Sequence, residues 1–221
     1  MKKFLPYLTW MVLLAPLVFL RAIWKKLPDH VPMHYNINGE VDRYGSKSEL
    51  ITLICFMLAL NIGVYLLLSN LHRIDPRKKY TKENMPVVKR LAFILVFFLS
   101  ALSCFITYMA LDANSSFTGK FTMCITGLLF AALGNYMYNI KPNYFIGFRL
   151  PWTLENEENW KYTHRLVGRM WFAGGLLLTV LALFLPTKAG FSAFMIIMAI
   201  ITIAPSVYSY RFYKQHRDGQ E

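Results

Sequence analysis

The sequence predicts an all-α integral membrane protein, a bundle of six transmembrane helices with a short extracytoplasmic hairpin-like loop and a cytoplasmic amphipathic helix. Three observations lead to this fold class. Hydrophobic residues make up 56% of the 221 residues and charged residues only 16%, a composition that points away from a water-soluble protein. Six stretches are apolar over about 20 residues, the length that crosses the hydrocarbon of a bilayer. Lysine and arginine concentrate in alternate loops.

The six apolar stretches are expected to be single helices in one membrane domain, 1–221. The N-terminal part, 1–71, is a helical pair around an outer loop at 25–49, and the C-terminal part, 91–221, is a four-helix region with an inner loop at 141–170. The second helix is expected to begin with Ser46 or Ser48 as its N-cap. The predicted spans are 4–24, 50–71, 91–111, 121–140, 167–185 and 191–210.

The distribution of positive charge predicts the orientation of these spans. A formal net charge of +12 could indicate nucleic-acid binding, but 17 of the 24 lysines and arginines lie in the termini and the second and fourth loops. The other loops hold six. By the positive-inside rule, both termini are cytoplasmic in a bacterial inner membrane and the loop at 25–49 faces outward. We therefore expect the lipid bilayer, and not nucleic acid, to be the partner of this chain.

The predicted spans hold few groups that could do chemistry. Their middles contain no lysine, aspartate or glutamate, and asparagines at 61, 135 and 139 are expected to hydrogen-bond between helices. Proton-coupled transport normally needs titratable groups in the membrane, so their absence disfavours a small-solute transporter. The transporter alternative is kept because spans one to three and spans four to six have the same order of helices and loops. Their long loops are expected on opposite sides of the membrane, as in an inverted repeat. The three cysteines lie inside spans without metal-ligand spacing, and we predict no cofactor, no metal and no enzyme activity.

The outer loop, "LPDHVPMHYNINGEVDRYGSKSEL", predicts a β-hairpin. The Asn-Gly pair at 38–39 is a strong turn signal between two short strands. If these two residues form the turn, Tyr35 pairs with Asp42. In that register His34 and Asp42 lie on opposite faces of the hairpin.

A second register is equally open. If 37–39 form a three-residue loop with a left-handed glycine, His34 faces Asp42 and Tyr35 faces Val41. The second register would bring polar side chains of the two strands close together. The hairpin would then present a fixed polar surface.

The polar residues of the hairpin also raise the possibility of a metal site. The second register gathers His34, Asn36 and Asp42, a set from which a metal-binding membrane enzyme could be built. The set is thin, because it has no sulfur ligand. His30 and His34 are four residues apart, but Pro32 between them argues against a helix that would present both. A hydrogen-bonded recognition loop is therefore favoured.

The inner loop, "NYFIGFRLPWTLENEENWKYTHRLVGRMWFAGG", predicts a turn that leads into an amphipathic helix. Gly147, Pro151 and Thr153 indicate the turn, and the helix is expected to start near Leu154 with acidic residues in its first turns. This helix would lie at the inner leaflet before it turns into the fifth span. Its apolar stripe is Trp160, His164, Val167 and Trp171, and its basic stripe is Lys161, Arg165 and Arg169.

The histidine on the apolar stripe, His164, is expected to be a packed, hydrogen-bonded core residue and neither a base nor a metal ligand. Glu157 is placed to pair with Lys161 four residues later. The basic stripe could meet anionic lipid, and the whole segment could dock a cytoplasmic protein.

Together the two loops resemble the SdpI family of bacterial integral membrane immunity proteins and the N-terminal domain of unknown function that accompanies it. In the outer loop, a proline, His-x-Asn, Gly, Asp and Gly-Ser-Lys carry the resemblance. These residues are Pro32, His34, Asn36, Gly39, Asp42, Gly45, Ser46 and Lys47. In the inner loop, Gly-x-Arg, Pro-Trp-Thr, an acidic stretch, Trp and His-Arg carry it. Those residues are Gly147, Arg149, Pro151, Trp152, Thr153, Glu157, Glu158, Trp160, His164 and Arg165.

The resemblance implies protection of a producing cell against a secreted, membrane-active toxin peptide or protein. In the system after which the family is named, the protein also looks like a receptor that holds a DNA-binding repressor at the membrane, and the resemblance implies this role as well. The outer residues would then be a recognition site for the toxin, and the inner residues a site for a cytoplasmic transcriptional repressor. A repressor's basic DNA face would be repelled by the basic stripe, so docking is expected to use another face or Glu155, Glu157 and Glu158.

Overall fold

The computed structural model describes residues 4–36, 40–111 and 116–217, which form eight α-helices and one two-stranded antiparallel sheet. Strands β1 (His30–Tyr35) and β2 (Val41–Ser46) stand between the first two helices, after a 3₁₀ turn at Trp24–Lys26. The helices are α1 (Leu5–Ile23), α2 (Lys47–Ser69), α3 (Leu71–Ile74), α4 (Lys78–Met109), α5 (Ser116–Met137), α6 (Pro151–Glu155), α7 (Glu157–Phe184) and α8 (Thr187–Arg217).

The chain is a multi-pass helical membrane protein, as the sequence predicts. Among the described residues, five helical segments are long and apolar enough to cross a bilayer: Leu5–Lys26, Lys47–Ser69, Lys82–Met109, Glu157–Phe184 and Thr187–His216. The remaining predicted span, 121–140, corresponds to α5, which is not one of the five. Lys120, Asn135 and three glycines lower the hydropathy of α5, and it lies packed along α7.

The helices pack around two long elements. Helices α1 and α2 both pack against α4, whereas α5 and α8 both pack against α7, and α4 also contacts α5. Glycines allow the close approach of α5 to α7. A Cβ on Gly134 would lie 2.5 Å from the backbone nitrogen of Phe172, and one on Gly175 would lie 2.5 Å from the carbonyl oxygen of Gly127. Only small residues permit two helix backbones to come this near.

Three apolar clusters lie at the two ends of the bundle, where each one packs neighbouring elements against one another. At one end, the hairpin inserts Val31 between the end of α1, the start of α2 and the end of α4. At the other end, the end of α2 packs on the start of α4, and Trp160 of α7 packs against Leu91 and Ile140. The 23 residues of α2 separate these ends by about 34 Å, at about 1.5 Å per residue. The hairpin and the inner loop therefore lie at opposite ends of the bundle.

The predicted inner amphipathic helix is the first part of α7 and continues into the span without a turn. The expected helix start near Leu154 is wrong by three residues: α6 ends at Glu155 and α7 begins at Glu157. Asn156 causes the separation, because its extended backbone interrupts the helix and its side chain accepts hydrogen bonds from the backbone N–H groups of Glu158 and Asn159, both at 2.9 Å.

Of the three asparagines that were predicted to hydrogen-bond between helices, Asn61 does so. The buried Asn61 of α2 donates to the carbonyl oxygen of Val96 at 3.3 Å and contacts the hydroxyl of Ser100 at 3.0 Å, both on α4. Asn135 and Asn139 are exposed instead. Gly134 lies on the face of α5 that packs against α7. The next residue, Asn135, is turned about 100° around the helix and so lies off that face.

Candidate functional site

The hairpin end carries the first candidate surface, and its register combines elements of both sequence predictions. Tyr35 pairs with Val41, as the three-residue loop requires, but His34 stands opposite Arg43 because the register shifts on both sides of it. The predicted pairing of His34 with Asp42 is therefore wrong for the backbone. A bulge nevertheless lets the two side chains meet, with His34 Nδ1 2.6 Å from Asp42 Oδ1.

Side-chain hydrogen bonds continue around the hairpin. Asn36 donates to the carboxylate of Glu40 at 2.9 Å, and the backbone N–H of Glu40 returns a bond to Asn36 at 3.0 Å. Arg43 Nη1 bonds Glu49 at 3.1 Å. These bonds hold exposed polar groups in set positions. Gly39 and the rest of the predicted turn, 37–39, lie outside the described residues.

The hairpin leads directly into α2 through a capping box. Ser46 accepts from the backbone N–H of Glu49 and Glu49 accepts from that of Ser46, each at 3.3 Å, which confirms the predicted N-cap. Gly45 leaves no room for a side chain, because a Cβ there would lie 2.7 Å from Met33. Lys47 bonds Asp29 at 3.2 Å. Pro32 is half-buried in β1, where it stands opposite Tyr44.

The inner loop, at the opposite end, is built on a buried histidine. His164 is 1% exposed and stacks on Trp160 with ring centroids 3.9 Å apart. Its Nε2 accepts from the backbone N–H of Phe148 at 3.0 Å, and its Nδ1 lies 2.9 Å from the carbonyl oxygen of Trp160. Gly147 has a φ of 113°, and a Cβ there would lie 2.3 Å from Nε2. The packed histidine predicted from the sequence is confirmed.

The segment after Gly147 is held by its own polar side chains. The buried Thr153 hydroxyl accepts from the backbone N–H of Leu150 at 2.9 Å, where α6 begins at Pro151. Arg149 donates to the carbonyl oxygen of Tyr144. These contacts bring the predicted residues 147, 149, 151 and 153 together as one folded loop.

A buried polar network attaches this loop to α8, and most of its members were not predicted. Trp152 Nε1 donates to the hydroxyl of Ser209 at 2.8 Å, and that hydroxyl donates to Asn159 Oδ1 at 3.0 Å. Thr163 also donates to Asn159, at 2.9 Å. Asn159 and Thr163 are four residues apart beside Trp160, so helical periodicity was the signal that could have identified this polar face.

A second set of buried polar residues attaches the inner loop to the segment around α3, and it too was not predicted. Asp75 is fully buried and accepts from the backbone N–H groups of Arg77 at 2.8 Å and Tyr144 at 3.2 Å. Asn84 exchanges two 3.0 Å hydrogen bonds with the backbone of Lys141. Asp75 precedes Pro76, and this Asp-Pro pair was the available turn signal.

The charged residues of α7 lie on the surface of the inner end. Glu157, Glu158 and Arg165 are exposed, and the Arg165 guanidinium lies 5.2 Å from the ring centroid of Tyr138. Among residues 4–36, 40–111 and 116–217, no group of three or more histidine, cysteine, aspartate or glutamate side chains is placed to hold a metal ion. The two ends therefore present fixed hydrogen-bonding and charged surfaces.

Two protein-family models match the segments of the chain that carry these two surfaces. The model of the SdpI/YfhL protein family matches residues 139–209, which include the whole inner loop, and that of DUF1648, a domain of unknown function, matches residues 11–59, which include the hairpin. Immunity protein SdpI of Bacillus subtilis (strain 168) is 24% identical over 209 residues, which cover 92% of this chain and 94% of that protein. No solved structure matches. The two family matches follow this order along one chain, and the similarity to Immunity protein SdpI extends over nearly its whole length, so the chain is similar to the SdpI/YfhL family in its inner loop and to DUF1648 in its hairpin.

Proposed function

We propose that this chain is a membrane immunity protein that protects a bacterial cell against a secreted, membrane-active toxin, and that its hairpin is the surface that meets the toxin. The observation that carries the proposal is the similarity to Immunity protein SdpI, which extends over 92% of the chain and includes both candidate surfaces. The hairpin supports it, because its exposed polar side chains are already held by hydrogen bonds. A surface fixed in advance loses little conformational freedom on binding.

The proposal places the hairpin outside the cell and both termini in the cytoplasm of a bacterial inner membrane. The excess of lysine and arginine in the loops at the other end supports this orientation. The length of α2, about 34 Å, also suits a helix that crosses a hydrocarbon core about 30 Å thick. The hairpin would then be the part of the chain that a secreted toxin reaches first.

A toxin challenge tests the protective role. The protein is expressed in a sensitive bacterium, and survival is measured against candidate membrane-active toxins. We expect His34→Ala to lower the toxin concentration that the cells survive about threefold, since a hydrogen bond such as the one between His34 and Asp42 contributes about 0.5–1.5 kcal/mol. His30→Ala is the matched control, because His30 is an exposed histidine of the same strand. Survival no better than that of cells with an empty vector would reject the proposal for the toxins used.

A second variant separates the two ends of the molecule. Arg149 orders the inner loop by donating to the carbonyl oxygen of Tyr144 and lies far from the hairpin. We expect Arg149→Ala to retain protection when immunoblots show equal protein in the membrane. Loss of protection at equal abundance would assign toxin recognition to the inner end instead.

The inner surface is proposed to dock a cytoplasmic transcriptional repressor. Three exposed acids support this, Glu155 at the end of α6 and Glu157 and Glu158 at the start of α7. They would favour a partner with a basic patch outside its DNA-binding face, and the exposed basic residues 161, 165 and 169 would repel the DNA face itself.

Charge reversal tests this docking surface. Replacing the three acids with lysine is expected to reduce co-sedimentation of the repressor with membranes by about tenfold or more, because like charges at an interface cost several kcal/mol. Glu40→Lys at the hairpin is the control and is expected to leave co-sedimentation unchanged. Equal co-sedimentation of the triple variant and the unaltered protein would exclude this contact.

A further inference from the structure

A groove at the hairpin end of the bundle combines an apolar floor with two positive side chains. It lies between α1 and α2, beside the 3₁₀ turn that follows α1. Its walls are Leu17, Leu20, Arg21, Trp24, Lys25 and Ile51. It is separate from the polar face of the hairpin, and neither of the proposed binding surfaces uses it.

The two cations of the groove are available for an anionic ligand. Arg21 and Lys25 are four residues apart and both are exposed. Within the part of the chain that the structure describes, neither forms an ion pair with a carboxylate. Lys47 lies 5.9 Å from the centroid of the Trp24 ring, but its charge is already paired with Asp29 at 3.2 Å. The positive potential of the groove therefore comes from Arg21 and Lys25.

The position of the floor identifies what kind of anion fits. Leu17 and Leu20 belong to the apolar segment Leu5–Lys26, and Ile51 belongs to Lys47–Ser69, both long and apolar enough to cross a membrane. Leu17 lies four residues before Arg21 along α1, about 6 Å deeper towards the centre of the bilayer. A ligand that fills the groove must have a negative head at the helix end and an apolar chain below it. A uniformly acidic peptide such as polyglutamate lacks that chain.

We propose that this groove binds an anionic phospholipid of the leaflet on the hairpin side. Arg21 and Lys25 hold the phosphate from two sides, and an acyl chain lies along Leu17, Leu20 and Ile51. The guanidinium donates paired hydrogen bonds to phosphate oxygens, and the flexible ammonium adds a point charge. This arrangement also explains an arginine one turn from the end of a membrane helix, since the lipid headgroup supplies its counter-ion.

Competition between two lipids on the intact protein tests the proposal. The full chain is purified in detergent, stripped of lipid, and mixed with equal amounts of phosphatidylglycerol and phosphatidylcholine with identical acyl chains. Bound lipid is counted by native mass spectrometry. We expect preferential retention of phosphatidylglycerol. Arg21→Gln and Lys25→Gln should each weaken it about fivefold, and the double variant about 25-fold, at about 1 kcal/mol for each cation near a membrane surface.

Three further variants make the result decisive. Lys26→Gln removes the neighbouring exposed cation, which does not line the groove, and should change retention less than twofold. Arg21→Lys keeps the charge but loses the paired hydrogen bonds, so its preference for phosphatidylglycerol should lie between that of the unaltered protein and that of Arg21→Gln. Ile51→Trp fills the floor without a change in charge and should lower retention of both lipids, which gives a test if the charge variants do not fold.

Four outcomes would overturn the proposal. They are equal retention of the two lipids by the unaltered protein, an equal loss with Lys26→Gln and Arg21→Gln, unchanged retention with Ile51→Trp, and tighter binding of a polyglutamate peptide than of phosphatidylglycerol. None of these outcomes depends on a toxin, so the lipid site and the immunity function can fail separately.

Discussion

His164 shows at the scale of one residue how a buried side chain organises the inner loop. The backbone N–H of Phe148 points at Nε2, so that nitrogen must be the acceptor, and Nδ1 then carries the proton and donates to the carbonyl oxygen of Trp160. The ring is therefore neutral and its tautomer is set by its two partners. Both hydrogen bonds and the stacked Trp160 ring restrain the loop from Gly147 onward.

Gly147→Ala tests this arrangement. A φ of 113° is strained for any side chain, and the added Cβ would lie 2.3 Å from His164 Nε2. We expect a loss of about 1–3 kcal/mol in the free energy of unfolding, measured by thermal denaturation in detergent. Gly63→Ala is the control, because nothing lies within 4 Å of a Cβ at that position of α2. A melting temperature of Gly147→Ala equal to that of the control would contradict the geometry described above.

At the scale of elements, the contact between α5 and α7 depends on the absence of side chains. Gly127 faces Gly175 and Gly134 faces Gly168, so the two backbones approach at two points seven residues apart on each helix. Near these points the hydroxyl of Thr179 lies 3.4 Å from the carbonyl oxygen of Cys124. Close backbone packing of this kind gains dispersion energy, which is the main attraction available between helices in lipid.

Gly134→Ala is expected to weaken this contact. Its Cβ would lie 2.5 Å from the backbone nitrogen of Phe172, which cannot move as the end of a flexible side chain can. The helices must separate, at a cost of about 1–3 kcal/mol, the range found for overpacking. Gly190→Ala is the matched control, since its nearest neighbour is the flexible end of Met123 at 3.4 Å. Comparable thermal stability of the two variants would show that α5 and α7 do not pack through Gly134.

At the scale of the whole molecule, the segment that follows α2 and the start of α4 are joined to the inner loop. Asp75 follows the N-terminal pair of long helices and accepts a hydrogen bond from Tyr144 of the inner loop. Asn84 of α4 holds Lys141 in the same loop. The hairpin is attached to this region through α2. One continuous helix therefore links the proposed toxin-binding surface to the part of the chain that carries the second motif.

The two surfaces are expected to face different aqueous compartments. In a variant without native cysteines, Asp29→Cys and Lys161→Cys are labelled in intact cells with a maleimide that does not cross membranes. Asp29 has a side chain that is 94% exposed, and Lys161 is exposed too, so access to either thiol is limited by the membrane alone. We expect labelling at 29 in intact cells and at 161 only after the membrane is opened. Labelling of both thiols in intact cells would contradict the proposed orientation.

The sequence by itself determined the features that depend on composition and local pattern. Long apolar runs require helices in lipid, because backbone hydrogen bonds must be satisfied within the segment. The hairpin, the Ser46 cap and the packed position of His164 also follow from local signals, namely an Asn-Gly pair, a Ser-x-x-Glu spacing and helical periodicity. These signals act over a few residues and do not need a distant partner.

Only the tertiary structure decided which distant groups meet. The bulge that places His34 against Asp42, the bond from Phe148 to His164 and the contacts of Asn159 with Ser209 each join groups between 8 and 50 residues apart. The groove of Arg21, Lys25 and Ile51 likewise requires two helices to pack side by side. Helix rotation and the distance between backbones set these contacts. Both are determined by packing summed over whole elements, which a local sequence pattern does not contain.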